Sequence, residues 1–145
     1  MRVAFCGLAL LIGSCSNNKL YPVSGKVTYK GSSAPGAVVS FHRQGGEAGK
    51  EPLILGIVQE DGSFELMCGY LGKGAPPGHY HVLIEWKRLL GPCTCAAGPA
   101  SIQEKRRHQS GPDVLQGRYA DPKNPRFQVT IKAERNELPL FELTD

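Results

Sequence analysis

Apolar side chains in this chain recur at every second position within short runs, and glycine- and proline-rich turns separate the runs. A period of two belongs to half-buried strands and is incompatible with amphipathic helices. Val23, Gly25, Val27 and Tyr29 fall on one face of a first strand, with Ser24, Lys26, Thr28 and Lys30 on the other. After the turn formers of 31–36, Ala37 to His42 makes a second strand with Val39 and Phe41 on one face. Leu53 to Gln59 is a third, apolar enough for the middle of a sheet. Asp61-Gly62 then marks a hairpin turn, because that pair tolerates the positive φ such turns require. Phe64, Leu66 and Cys68 alternate inward on the fourth strand. A stiff corner from Gly74 to Gly78 precedes the fifth, which carries Tyr80, Val82, Ile84 and Trp86 on its apolar face and His79, His81, Leu83 and Glu85 on the other. Phe127, Val129 and Ile131 mark the sixth strand, and Leu138 to Leu143 forms the seventh. Seven short strands predict an all-β sandwich. Residues 87–125 show no period and form a long irregular insertion between strands five and six.

Composition agrees with this reading. With 18 Gly and 11 Pro among 145 residues, the chain suits many tight turns around one modest core. That size leaves no room for a second, catalytic domain. The net charge of +4 is local: Lys87, Arg88, Lys105, Arg106 and Arg107 share one stretch whose only acidic residue is Glu104. A run of that kind reads as a solvated loop, and nucleic acid is not an expected partner.

The N-terminus has a different character. Met1-Arg2 supplies a short positive start, Val3 to Ile12 is almost unbroken apolar sequence, and Gly13-Ser14 places small residues before Cys15. This is the pattern of a cleaved export signal, too short to span a hydrocarbon core of about 30 Å. Ile12-Gly13-Ser14-Cys15 resembles the bacterial lipobox, with Gly13 where Ala, Ser or Thr is commoner. The expected organisation is a lipoprotein signal peptide over 1–14, lipidation at Cys15, a polar tether over 15–20 and one domain over 21–145. The mature protein would then be exported and anchored to a bacterial membrane, on its periplasmic or cell-surface side.

Four segments carry a further resemblance. The run from Tyr21 to Gly31, then Pro35 to Phe41, Asp61 to Phe64, and Gly74 to Val82 are similar, in order and spacing, to the carboxypeptidase regulatory-like, transthyretin-like domain. Gly117 to Pro122, Val129 to Lys132 and Asn136 to Pro139 look like the ending of small bacterial lipoproteins built on that domain. The resemblance implies a seven-stranded, prealbumin-like Greek-key sandwich, a non-catalytic accessory or adhesive role, and no active-site residues to carry over. The Cys93-Thr94-Cys95 sequence departs from the family pattern.

Catalysis requires a nucleophile, base or metal on a rigid frame. His79 and His81 share one face of a strand, but two imidazoles fall short of the four ligands of a closed zinc site, and a third would have to come from His42 or Cys68 across the sheet. Asp61 and Asp121 sit in Asp-Gly and Asp-Pro contexts that turn formation explains. Ser24, Ser40 and Ser63 lack the nucleophile-elbow sequence, and no phosphate loop or dinucleotide fingerprint occurs. Tyr80 and Trp86 could stack on sugar rings only if exposed, whereas their parity with Val82 and Ile84 assigns them to the core.

Removal of Cys6 with the signal and lipidation of Cys15 leave Cys68, Cys93 and Cys95, an odd number. A Cys93–Cys95 ring is strained, so a bridge from Cys68 to one of them is the easier pairing, and it would stabilise the fold by roughly 3 to 4 kcal/mol. The competing assignment makes Cys68 a buried small hydrophobe and leaves Cys93 and Cys95 as free thiols; a thiolate site completed by His108 is a third arrangement. These readings describe a non-enzymatic, lipid-anchored envelope protein with a structural or protein-interaction role, needing no cofactor and facing the membrane, an envelope protein or a glycan. The alternative is a ligand-binding module for a metal ion or carbohydrate.

Overall fold

The alternation of Val23 and Val27 with polar neighbours produces the strand on which the molecule is organised, β1 (Val23–Tyr29), whose two valines are buried. The structure, a computed structural model, describes residues 19–47, 49–89 and 110–145. The expected signal peptide over 1–14, Cys15, Cys93, Cys95 and His108 lie outside the described residues.

On one side β1 pairs in parallel with β12 (Asn136–Glu137) and β13 (Phe141–Leu143). On the other it pairs antiparallel with β5 (Ser63–Glu65) and with β2 (Ser32–Ser33). The second sheet runs in the order β11 (Phe127–Ile131), β8 (Gly78–Glu85), β3 (Val38–Arg43), β4 (Ile54–Ile57), β6 (Met67–Cys68), β7 (Gly72–Lys73). Because β8 returns beside β3 rather than beside β7, and β12 and β13 come back to β1, the connections cross between sheets as in a Greek key. No helix occurs among the described residues, and the fold is the expected all-β sandwich.

Two expected strands depart from their expected spans, each for a local reason. The fourth changes sheet at Leu66: β5 pairs with β1, β6 with β4, and Leu66 itself donates its N–H to Val23 of β1 while its carbonyl accepts from Gly74. Phe64, Leu66 and Cys68 all remain buried, as their parity predicts. The seventh, expected over Leu138 to Leu143, is shortened to β13: Pro139 has no N–H to give the ladder, Leu140 is exposed, and β12 lies before the expected span.

The insertion over 87–125 is not irregular throughout. Lys87–Leu89 (β9) and Ser110–Asp113 (β10) form an antiparallel ribbon with a bulge, and the following turn buries Leu115 and Tyr119 in the core. That turn is fastened by hydrogen bonds from Val114 N–H to the Trp86 carbonyl and from Ile84 N–H to the Tyr119 carbonyl. Leu20, expected at the end of the tether, packs against the core, and Tyr21 forms an antiparallel bridge with Ala75.

Between the sheets an aromatic chain runs through Phe64, Phe141, Phe127 and Tyr119, with ring centroids 6.2, 4.9 and 5.7 Å apart in sequence. Tyr80 is buried and its hydroxyl donates to the Pro76 carbonyl at 2.9 Å. Trp86 falls just past the end of β8 and is half-buried; its indole N–H donates to the Pro35 carbonyl, and its ring meets Tyr29 edge-on. The buried Tyr80 ring offers no open face for a sugar.

Candidate functional site

The outer face of the second sheet collects the polar candidates. The register places His42 of β3 directly opposite His81 of β8, and His79 opposite Thr130 of β11. Opposed residues on one face stand close enough for their side chains to meet. The His79 Nδ1 lies 2.8 Å from the Thr130 hydroxyl, and the His42 Nε2 lies 3.3 Å from the Ser40 hydroxyl. Cys68 points to the opposite face, into the core, so it cannot join the histidines as a ligand. No group of three His, Cys, Asp or Glu side chains placed to hold a metal ion occurs among the described residues.

The other candidates are engaged in shaping the backbone. Asp61 accepts from the Ser63 N–H at 2.9 Å and from its hydroxyl at 2.6 Å, across a turn in which Gly62 has φ 81°. These bonds from Ser63 hold the Asp61 carboxyl below its usual range. Asp121 accepts from the Lys123 N–H, and the Ser40 hydroxyl donates to the Leu83 carbonyl. Burial pushes the Cys68 thiol above its ordinary value, which keeps it protonated and unreactive at neutral pH. Alkylation in the native state is therefore expected to spare Cys68 and to reach it only after denaturation, a difference that peptide mapping resolves.

Asp113 is the residue that sequence reasoning missed. Its Oδ1 accepts from the N–H groups of Trp86 and Leu115 at 2.9 and 3.1 Å, and its Oδ2 from the N–H of Gly117 at 2.8 Å. One carboxylate thereby joins the end of β8 to the turn that buries Leu115 and Tyr119. The available signal was Asp113 followed at short spacing by Leu115 and Gly117, a side chain positioned to accept from the backbone two and four residues on. Asp113→Ala leaves three donors without this partner and is expected to lower stability by about 2 to 3 kcal/mol. Asp113→Asn, which retains one acceptor oxygen, should cost less; denaturant titration of the two variants gives the ranking.

A second unforeseen feature is an apolar groove of about 660 Å³, lined by Leu53, Leu55, Ile57 and Met67 with Glu65 and Lys73 at its rim. Register makes it continuous, since Val38 stands opposite Ile57 and Leu55 opposite Met67 on the outer face. The centre of a sheet thus presents aliphatic side chains outward as well as inward.

No model of a known protein family and no curated protein sequence matches the chain. Among solved structures it is similar to a DUF3823 family protein from Parabacteroides merdae ATCC 43184, at 16% identity and a TM-score of 0.40, over 87% of this chain and 46% of the other. The chain thus spans about half the length of that neighbour.

Proposed function

We propose that this protein is a non-enzymatic, lipid-anchored envelope module of the carboxypeptidase regulatory-like, transthyretin-like kind, working through its surface in a structural or protein-interaction role. The observation that carries this reading is the use of the chain's reactive side chains. Asp61, Asp113 and Asp121 accept from backbone donors, Ser40 bonds to a backbone carbonyl and Ser63 to a turn carboxylate. Such groups hold turns and strands in place; Ser40, the serine that lies beside an imidazole, 3.3 Å from the His42 Nε2, gives its hydroxyl to the Leu83 carbonyl. The lipobox-like Ile12 to Cys15 supplies the anchor and the export route. Two acyl chains or more would hold the domain stably at a membrane.

Cys15→Ser is expected to move the protein out of the membrane fraction or to leave it unprocessed, as fractionation and blotting would show. A variant that is still cleaved and still firmly membrane-bound refutes the anchor. For the interaction role, cross-linking in intact cells followed by capture should recover a defined envelope protein or glycan; recovery of none argues against it.

The metal-binding alternative is favoured by one observation, the placement of His42 opposite His81. Calorimetry with Cu²⁺ or Zn²⁺ on wild type and His81→Ala distinguishes it: a stoichiometric heat lost in the variant supports a site, and equal traces exclude it.

A further inference from the structure

We propose that the outer apolar face of β4, β6 and the β6–β7 turn lies on the bilayer that the anchor reaches, so that the domain is held against the lipid surface in one orientation; this rests on the lipid-anchor reading above. Leu53, Ile57 and Met67 are exposed side chains of this face, and Ile57 leaves 53% of its surface open. The face continues into the turn, because the Gly69 N–H donates to the Leu53 carbonyl at 2.7 Å. At the tip of that turn Tyr70 is 95% exposed beside an exposed Leu71. Apolar side chains with a tyrosine at their margin match the interfacial region of a bilayer, where a ring with one polar end is at home. Lys73, opposite Met67 on the same face, has a long stem that can lie on the apolar surface with its ammonium among the headgroups.

The position of the tether selects lipid as the occupant. Tyr21 bridges to Ala75, two residues past Lys73, so the chain enters the domain along the edge that carries the apolar face. Only residues 16–18 separate Cys15 from Lys19. Four residue steps span at most roughly 14 Å. A lipidated Cys15 therefore keeps this edge of the domain close to the bilayer, where an apolar face adds its own partition energy to that of the acyl chains.

The test uses the full lipidated protein in phosphatidylcholine/phosphatidylglycerol nanodiscs containing a gadolinium-chelating headgroup lipid, read by methyl NMR. The Leu53, Ile57 and Met67 methyls are expected to broaden several-fold more than the Val129 methyls of β11, at the far edge of the same sheet. In lipidated Ile57→Glu/Met67→Glu the protein should still elute with the disc, but the remaining Leu53 methyls should broaden no more than those of Val129. If the wild-type protein elutes with the disc and its Leu53, Ile57 and Met67 methyls broaden no more than Val129, the docking face is refuted and the anchor stands; cover by a second copy or by the chain itself would give this result. If the protein elutes free of the disc, the anchor reading fails and the docking face fails with it.

Discussion

Phe64→Ala is expected to lower the unfolding free energy by about 3 to 5 kcal/mol, the range for removing a fully buried aromatic ring. Phe64 is 1% exposed and stacks on Phe141. Two glycines make room for it. A Cβ at Gly25, the residue opposite Phe64 in the ladder, would lie 2.7 Å from the ring, and one at Gly56 of the other sheet would lie 2.9 Å from it. The ring thus occupies space that both sheets leave vacant, and its loss opens a cavity that neither backbone can close. Domains of this size have about 5 to 15 kcal/mol in total, so the variant should be near the limit of folding. The same geometry requires coupling: Gly25→Ala alone is destabilising because its Cβ displaces the ring, yet in the Phe64→Ala background the Cβ enters vacated space. Guanidinium unfolding of the four proteins should give a double variant less destabilised than the sum of the single changes. Strict additivity would refute this packing.

Gly74→Ala should cost at least about 3 kcal/mol, through backbone strain and a contact that cannot relax. Gly74 has φ 105°, and a Cβ there would lie 2.2 Å from the Tyr21 carbonyl oxygen and 2.7 Å from its carbon. Those are backbone atoms, so no side-chain rotation relieves the contact. The chain must instead separate Tyr21 from Ala75, whose two reciprocal hydrogen bonds are each 3.0 Å. Gly36→Ala is the internal control: Gly36 also has positive φ, 79°, but nothing stands within 4 Å of its Cβ position. It should cost only the left-handed backbone penalty, about 1 to 2 kcal/mol. Hydrogen exchange should report accelerated exchange at Tyr21 and Ala75 in the Gly74 variant alone. Equal costs for the two alanines would show that the N-terminal bridge contributes nothing.

The inward residues were legible in the sequence because burial on one side of a strand imposes a period of two. Val39 and Phe41, then Phe64, Leu66 and Cys68, then Tyr80, Val82 and Ile84 all follow that rule into the core, whereas Leu83 is buried although its parity puts it on the outer face. The rule is silent about partners, so the change of sheet at Leu66 was not foreseen; it depends on Val23 and Gly74, both distant in sequence. In the same way, the apolar character of Leu53 to Gln59 places it in the middle of a sheet, where β4 lies between β3 and β6, but it says nothing of the outer face, which stays open. The turn after β10 has no period because it is not a strand. It is held by Asp113, includes Gln116 at a positive φ of 52°, and buries Leu115 and Tyr119 as single anchors. Of the candidate site, the shared face of His79 and His81 follows from their spacing alone. Their relation to His42 needed the register of β3 against β8.

The lipoprotein reading is tested most directly by the mass of the mature N-terminus, determined on protein purified from the membrane fraction of its native cell type. The predicted result is a chain that begins at Cys15 and carries a thioether-linked diacylglycerol on its sulfur. A mature chain beginning at any other residue, or at Cys15 with an unmodified thiol, would contradict it.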